Sequence, residues 1–148
     1  MSDLKATIHA AMKDAMRSKD KQRLSAIRLI QADIKRIEVD ERIELDDARI
    51  LTVLDKMLKQ RRDSIEQFQA AGRQELADKE NAEIRVIQTF LPEPLTDDEI
   101  ATLIDQAIEQ TGASSMQDMG KLMGLLKPQI QGRADAGEVS RAVKAKLA

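Results

Sequence analysis

One short segment near the C-terminal end of the chain combines residue types that can meet an anionic partner. Residues 119–146 hold four of the six glycines together with six lysines or arginines. Glycine has no Cβ to keep a partner at a distance, and a neighbouring cation can then meet a phosphate backbone at close range. The segment therefore predicts a binding surface. Its candidate residues are Gly120, Lys121, Gly124, Lys127, Gly132 and Arg133.

Two of these glycines, Gly120 and Gly124, lie one helical turn apart. Glycine inside a helix costs about 1 kcal/mol relative to alanine, so two in one helix need a reason. One explanation is close packing against a neighbouring helix of the same region. The other is a strip of exposed backbone that a phosphate, a ribose or a partner helix can approach. Gly132, in contrast, is most simply explained by a turn that leads into the last helix.

A second set of cations recurs every seven residues near the start of the chain, at Lys21, Arg28 and Lys35. On a helix this spacing forms a basic stripe, compatible with a nucleic-acid duplex lying along it. The alternative is a solvated surface whose charges pair with Asp and Glu one turn away. With only Phe68 and Phe90 as aromatic residues, the chain cannot stack unpaired bases, which argues against single-strand sequence readout.

Catalytic chemistry has weaker support in the residues. His9 is the sole histidine, so a catalytic triad or a metal cluster would lack a second histidine. Ser114 and Ser115, close to Lys121 in sequence, suit a helix cap better than a nucleophile. The chain also has no glycine-rich phosphate loop of the Gly-x-x-x-x-Gly-Lys type. We therefore predict no catalytic residue, no metal site and no cofactor.

Composition bears on the cellular location of the protein and on the partners it can bind. The chain has no cysteine and no apolar leader at its start, which predicts a cytoplasmic protein. No stretch approaches the roughly 18 apolar residues of a membrane span, so no membrane partner is expected. The net charge is only −2, but basic residues concentrate in 1–36 and 119–148. This segregation can steer an anionic partner to two patches, unless the charges neutralise one another across the fold.

The elements that position these residues are predicted to be helices. Charged residues make up 34% of the chain and aromatics 1%, which is typical of an aliphatic helical bundle. Apolar residues at helical spacing predict four helices in the first ninety residues. The first is predicted over 3–17, and the second is capped by Ser18 or Asp20 and ended by the acidic stretch 40–47. The third runs from Asp46 or Asp47 to Gly72, and the fourth contains Ala77 to Leu91.

The stretch Leu91-Pro92-Glu93-Pro94-Leu95 marks a boundary, because proline removes amide donors and disfavours helix in the residue before it. The predicted domains are 1–91 and 96–148, with 92–95 as the linker. The fold class is therefore all-α, with an N-terminal helical hairpin or bundle followed by a small three-helix C-terminal module. In that module we expect capping boxes at Thr96–Glu99 and Asp135–Glu138, a cap at Ser114–Ser115, and a helix perturbed by Pro128.

The same residues resemble a known family. The C-terminal run is similar to the tail of the GatB/YqeY family, which stand-alone YqeY-like proteins share with the B subunit of the glutamine-dependent aspartyl/glutamyl-tRNA amidotransferase. A departure is Ala136, since the family tail often has glycine directly after the aspartate. The matching segments are Met119-Gly120-Lys121, Gly124, Lys127-Pro128, Gly132-Arg133-Ala134-Asp135, Leu24–Arg28, Ala71–Ala77 and Phe90–Pro92.

The resemblance implies an all-helical protein whose tail touches the outer corner of tRNA and which does not itself carry out amide transfer. We therefore expect a tRNA-binding or tRNA-metabolism-associated accessory protein. The alternatives are an auxiliary to carbon–nitrogen ligase activity with glutamine as amide donor, and a protein-interaction module whose glycine strip receives a partner helix. The expected partners are tRNA and an amidotransferase or aminoacyl-tRNA-related enzyme. The expected RNA contacts are the six tail residues named above together with Lys21, Arg28 and Lys35.

Overall fold

The protein is almost entirely helical. A computed structural model describes residues 3–148, and within them it contains seven α-helices, one short 3-10 turn and no β-strand. The chain divides into two compact units, Met1–Leu91 and Pro92–Ala148. The predicted all-α fold class is confirmed, since the N-terminal unit is a bundle of four helices and the C-terminal unit contains three.

The N-terminal unit is built from two pairs of consecutive helices. α3 packs along α4, α1 packs against α2 and α3, and α2 also contacts α4. The short connections between the helices make sequence neighbours pack as antiparallel partners. The helices are α1 (Asp3–Arg17), α2 (Lys21–Glu41), α3 (Asp47–Ala70) and α4 (Gln74–Gln88).

Aspartate side chains begin the two longest helices. Asp20 accepts a hydrogen bond from the Arg23 N–H at 3.1 Å, and Asp46 accepts one from the Arg49 N–H at 2.9 Å. Each bond satisfies one of the amides that a helix leaves free at its start. Arg42 ends α2 in the left-handed conformation, at φ 57°.

An aliphatic core fixes which side of α2 faces water. Ile27, Ile30 and Ile34 of this helix are buried among residues of α1, α3 and α4. Burying one such side chain contributes about 1.5–3 kcal/mol relative to leaving it exposed. The opposite side of α2 is therefore held toward solvent. The most fully buried large side chains of the unit are Ile8, Ile27, Ile30, Leu45, Ile50, Leu54 and Ile87.

A half-buried carboxylate ties the end of α2 to two other segments. The Glu38 carboxylate accepts hydrogen bonds from Lys5 Nζ at 2.8 Å and from the Leu45 N–H at 2.9 Å. The bond from the Lys5 ammonium, and then the bond from the Leu45 amide, hold the pKa of Glu38 below its ordinary value. Glu38 is therefore directed toward α1 and the α2–α3 connection.

The α3–α4 pair contains an ion pair of low exposure. Arg61 Nε on α3 lies 2.9 Å from a carboxylate oxygen of Glu83 and 4.0 Å from one of Glu80, both on α4. Burial, and then the neighbouring Glu83 charge, raise the pKa of Glu80 above its ordinary value. These ion pairs therefore link α3 to α4.

The C-terminal unit contains three short helices around a separate core. The capping box predicted at Thr96 is confirmed, because the Thr96 N–H donates to Glu99 and the Glu99 N–H donates to the Thr96 hydroxyl. The core is formed by Ile104, Ala107, Leu122, Leu126, Ile130, Val139 and Val143. The elements are α5 (Asp97–Thr111), a 3-10 turn (Met116–Asp118), α6 (Met119–Ile130) and α7 (Ala136–Leu147).

Two local expectations in this unit need correction. Pro128 lies inside α6, which continues to Ile130. The buried side chains of Leu126 and Ile130 hold this last turn against the core, so packing outweighs the missing amide. Asp135 caps α7 by accepting the Gly137 N–H at 3.0 Å, so a single side-chain cap stands where a capping box was expected.

Every helix has a buried side and a polar side. Even α3, the longest at 24 residues, carries charged side chains along its length. Across residues 3–148, no helix combines the length and the apolar character that crossing a bilayer requires.

Candidate functional site

The structure gathers four of the candidate residues on one exposed surface of α6. Gly120, Lys121, Gly124 and Lys127 are all exposed, and at 3.6 residues per turn they lie within about 60° of Gly124 around the helix. We call these four residues the α6 strip. In the part of the chain that the structure describes, neither lysine has an ion-pair partner within 4.0 Å. The strip therefore combines bare backbone with two available cations.

The glycines of the α6 strip are not covered by a neighbouring helix. A Cβ added to Gly120 or to Gly124 would meet no heavy atom within 4 Å. Both residues also lie inside a regular helix without positive φ, so the backbone conformation does not demand glycine either. Close packing against a neighbouring helix therefore does not account for these two glycines, and the approach of a partner from outside the unit stays a prediction.

Pro128 removes one backbone hydrogen bond from this helix. In an α-helix the amide of residue 128 would donate to the carbonyl of Gly124, but proline has no amide hydrogen. The Gly124 carbonyl therefore lacks its regular helical donor.

The start of this segment is fixed by the half-buried Asp118. Asp118 accepts hydrogen bonds from the amides of Ser114 and Ser115, at 3.0 and 3.3 Å. These two backbone bonds, in that order, lower the pKa of Asp118 below its ordinary value. Ser115 stands at the N-cap of the 3-10 turn, so the serines are engaged in forming this turn, as the capping prediction expected.

Gly132 and Arg133 lie apart from the α6 strip and have structural contacts of their own. Gly132 is buried and has a φ of +75°, which favours glycine in the turn between α6 and α7. The Arg133 carbonyl accepts the Leu95 N–H at 2.8 Å, and Arg133 Nε donates to the Glu93 carbonyl at 2.9 Å. This pair joins the segment that precedes α5 to the turn that precedes α7.

The remaining candidates, Lys21, Arg28 and Lys35, share one exposed side of α2 in the other unit. The expected pairing with acids one turn away does not occur, because within residues 3–148 none of the three has an ion pair within 4.0 Å. Exposed neighbours extend this surface. We call it the α2 face and define it as Lys21, Ser25, Arg28, Leu29, Ala32, Lys35, Arg36 and Val39.

The apolar members of the α2 face were missed in the sequence. Leu29 is 42% exposed and Val39 is 61% exposed, so two large aliphatic side chains lie among the cations of this face. Successive helical residues are rotated by about 100°, and this rotation places both on the side of α2 opposite Ile27, Ile30 and Ile34. That rotation was the available signal, since it separates these two side chains from the core stripe.

Titratable residues also occur outside these two surfaces. No group of three or more His, Asp or Glu residues within 3–148 is arranged to hold a metal ion. His9 is an exposed residue of α1. The charged side chains of lowest exposure, around Arg61 and Glu38, already serve contacts between helices.

Several named proteins are similar in sequence to this chain, and their names bear on its function. A 34% identical protein of Pyrenophora tritici-repentis, aligned over 93% of this chain and 77% of its own length, is named altered inheritance of mitochondria protein 41, mitochondrial. A protein of the same name from Lachancea thermotolerans is 26% identical over 95% of this chain and 79% of its own length. Another from Candida glabrata is 38% identical over 59% of this chain and 49% of its own length.

These relatives correct two expectations. Their names refer to the inheritance of mitochondria and do not mention tRNA, an amidotransferase or a carbon–nitrogen ligase. The expected tRNA-binding accessory function and the expected auxiliary role in amide transfer are therefore wrong. The expected cytoplasmic location is wrong as well, because the named relatives are mitochondrial proteins.

The family assignment agrees with the resemblance noted in the N-terminal part of the chain. A model of this family, described as Yqey-like protein, matches residues 5–147, and so it covers all seven helices except the first two residues of α1. The chain belongs to the Yqey-like protein family.

Proposed function

We propose that this chain is a docking protein that receives a helix of a protein partner on the α6 strip. We also propose that it serves the process for which its relatives are named, the inheritance of mitochondria. The observation that carries the docking proposal is the pair of uncovered helical glycines, Gly120 and Gly124.

The energetic argument starts from the cost of these glycines. Each lowers helix stability by about 1 kcal/mol relative to alanine, and neither gains internal packing in return. A surface without Cβ atoms lets the backbone of another helix come closer than any other residue type permits. A helix of a partner laid along α6 is therefore the ligand that best accounts for both positions.

The surroundings of the glycines indicate the chemistry of that partner. Lys121 and Lys127 are exposed on either side of Gly124, which favours acidic side chains on the partner helix. Met116, 47% exposed at the start of the segment, supplies a flexible apolar contact of the kind that adapts to different partners.

The mitochondrial setting is proposed from the relatives alone. Three of them carry the word mitochondrial in their names, and the Pyrenophora protein aligns with nearly the whole of this chain. Sequence similarity over that length supports a shared role. The structure of this chain adds the surface through which the role would be carried out.

The similarity of the C-terminal run to the tail of the amidotransferase B subunit is retained as a proposal about architecture. It is supported by the run from Met119 to Asp135 and by the three-helix unit in which that run lies. It attaches no RNA contact and no amide-transfer step to this chain.

The docking proposal is tested by filling the strip. Gly124→Leu places a branched side chain where a partner backbone would lie, and the open space around Gly124 lets the unit itself fold. We would express the chain, directed to mitochondria, in fungal cells that lack their own protein of this name and score the inheritance of mitochondria. The wild-type chain should restore inheritance, and Gly124→Leu should not.

Gln129→Leu is the matched control, because it adds a leucine to another exposed side of the same helix. It should act like the wild-type chain. Equal activity of Gly124→Leu and Gln129→Leu would remove the α6 strip from the function. Failure of the wild-type chain itself would reject the proposed mitochondrial role.

A further inference from the structure

The α2 face carries positive charge without any negative charge, in a chain whose net charge is −2. Its eight residues lie within about 60° of Ala32 around the helix, and four of them are cations while none is an acid. The cations follow one another along nearly the whole exposed length of α2. They are Lys21, Arg28, Lys35 and Arg36.

None of the four acidic residues of α2 lies on this face. Glu38 is engaged by Lys5 and by the Leu45 amide, and Glu41 pairs with Arg49 of α3 at 2.7 Å. Asp33 and the exposed Asp40 lie just outside the face, and Asp33 reaches Arg36 at 4.0 Å. Within residues 3–148 the other three cations of the face have no ion pair within 4.0 Å.

The same face exposes the two large aliphatic side chains Leu29 and Val39. A bare sugar–phosphate backbone would satisfy the cations but would gain little from these apolar groups. The headgroup region of a bilayer accommodates both, since apolar side chains enter the acyl boundary while Lys and Arg reach the headgroups. The combination therefore favours a lipid surface over a purely ionic partner.

We propose that the α2 face docks flat onto a bilayer surface containing anionic phospholipid. The helix is about 31 Å long at 1.5 Å per residue, and its opposite side is buried in the N-terminal unit through Ile27, Ile30 and Ile34. The face can thus meet the membrane without unfolding the unit. This attachment is peripheral, and it differs from the expectation of no membrane partner.

The magnitude of the charge contribution makes the proposal measurable. Each Lys or Arg brought to an anionic membrane surface strengthens partitioning by about five-fold, and the effect weakens with salt. Removing three of the four cations should weaken partitioning by roughly a hundred-fold. Leu29 and Val39 should supply a smaller contribution that persists at higher salt.

The experiment is sedimentation of the full chain with vesicles of phosphatidylcholine containing one-third phosphatidylglycerol, compared with vesicles of phosphatidylcholine alone. The test variant is Lys21→Gln/Arg28→Gln/Lys35→Gln. The matched control, Arg141→Gln/Lys144→Gln/Lys146→Gln, removes the same charge from exposed positions of α7, outside the α6 strip. The wild-type chain and the control should sediment with the anionic vesicles, and the test variant should not.

A second variant, Leu29→Ser/Val39→Ser, distinguishes a membrane from an acidic protein. It should bind the anionic vesicles more weakly than the wild-type chain, with the largest difference at high salt. No wild-type binding to anionic vesicles at low salt would overturn the proposal, as would equal losses in the two triple variants. Unchanged binding by the serine variant, with full displacement of the chain by soluble polyglutamate, would indicate an acidic protein instead.

The membrane proposal and the docking proposal fail separately. Gly124→Leu alters only the C-terminal unit and should leave vesicle binding unchanged. The α2 triple variant leaves the α6 strip intact. Each surface is therefore tested without changing the other.

Discussion

The α2 face and the α6 strip are both exposed helix surfaces that carry cations, three on α2 and two on α6 having no ion pair within 4.0 Å among residues 3–148. They differ in what lies between the cations. On α2 the space is occupied by side chains, including Leu29 and Val39. On α6 it is occupied by Gly120 and Gly124, which have none. The first surface offers apolar side chains and charge to a deformable anionic layer, whereas the second offers close access to its own backbone.

The difference shows that a charge count alone does not identify a partner. Lysine and arginine are present on both surfaces, and on that basis both were expected to contact RNA. The residues between the cations separate the two, because burying leucine and valine favours an apolar environment while bare glycine favours a close, shape-specific contact. Four predictions test this comparison.

The largest effect on stability is expected from substitutions on the buried sides of α2 and α6. Ile30→Ala on α2 and Leu126→Ala on α6 each remove a side chain with 0% exposure, and each should lower the free energy of unfolding by about 2–5 kcal/mol. Urea unfolding followed by circular dichroism would measure this loss. A loss below about 1 kcal/mol at either position would mean that the core beneath that surface is not closely packed.

A smaller effect, present only in the N-terminal unit, is expected at Glu38. Glu38→Gln should lower the free energy of unfolding at neutral pH by about 1–2 kcal/mol, because it weakens the bond from the Lys5 ammonium. The pKa of Glu38 is lowered in the folded chain, so its contribution is complete above the unfolded pKa of about 4.3 and is lost as the pH falls through the folded value.

The measurement for Glu38 is the free energy of unfolding of both proteins between pH 3 and pH 7. The two curves should be separated near neutral pH and should converge as the solution becomes acidic. A constant separation down to pH 3 would contradict the assigned role of the Glu38 charge.

Substitution of an exposed glycine on α6 should stabilise the protein, whereas truncation of a core residue destabilises it. Gly124→Ala should raise the free energy of unfolding by about 0.5–1 kcal/mol, because nothing within 4 Å opposes the added methyl group. Ala32→Gly, the reverse change on the α2 face, should lower it by a similar amount. Thermal unfolding of the pair would show this symmetry, and destabilisation by Gly124→Ala would reveal a constraint at Gly124 that open space does not explain.

The smallest effect on stability is expected from the cations of the α2 face. Lys21→Gln/Arg28→Gln/Lys35→Gln should change the free energy of unfolding by less than about 0.5 kcal/mol, since these side chains are exposed and form no ion pair within residues 3–148. Chemical denaturation at low salt is the appropriate measurement. A larger loss would show that these charges stabilise the bundle.

Residue spacing and capping residues were sufficient to predict much of the fold. The first helix begins and ends where the spacing of Ile8, Ala11 and Ala15 predicts, and Asp46 caps the third helix as its position suggested. These features depend on neighbours within one or two turns. Pro128 was misjudged because its effect depends on Leu126 and Ile130 meeting a core built from other helices, which a local pattern does not contain.

The candidate surfaces were only partly predictable for the same reason. The positions of Gly120 and Gly124 followed from helical spacing, but their exposure depends on which neighbours pack beside α6. Arg133 had the residue type of a binding cation, yet its guanidinium contacts the Glu93 carbonyl forty positions earlier in the chain. Contacts over such sequence distances decide whether a cation is available.

The composition of α6 has a consequence for its motion. With two glycines and one proline among its 12 residues, this helix has a low intrinsic tendency to form, and its amide hydrogens depend on Leu122, Leu126 and Ile130 for protection from solvent exchange. Transient opening should therefore be more frequent in α6 than in α5 or α7. A partner that binds only the closed helix would slow this exchange, so that occupancy of the strip becomes visible as increased protection of α6.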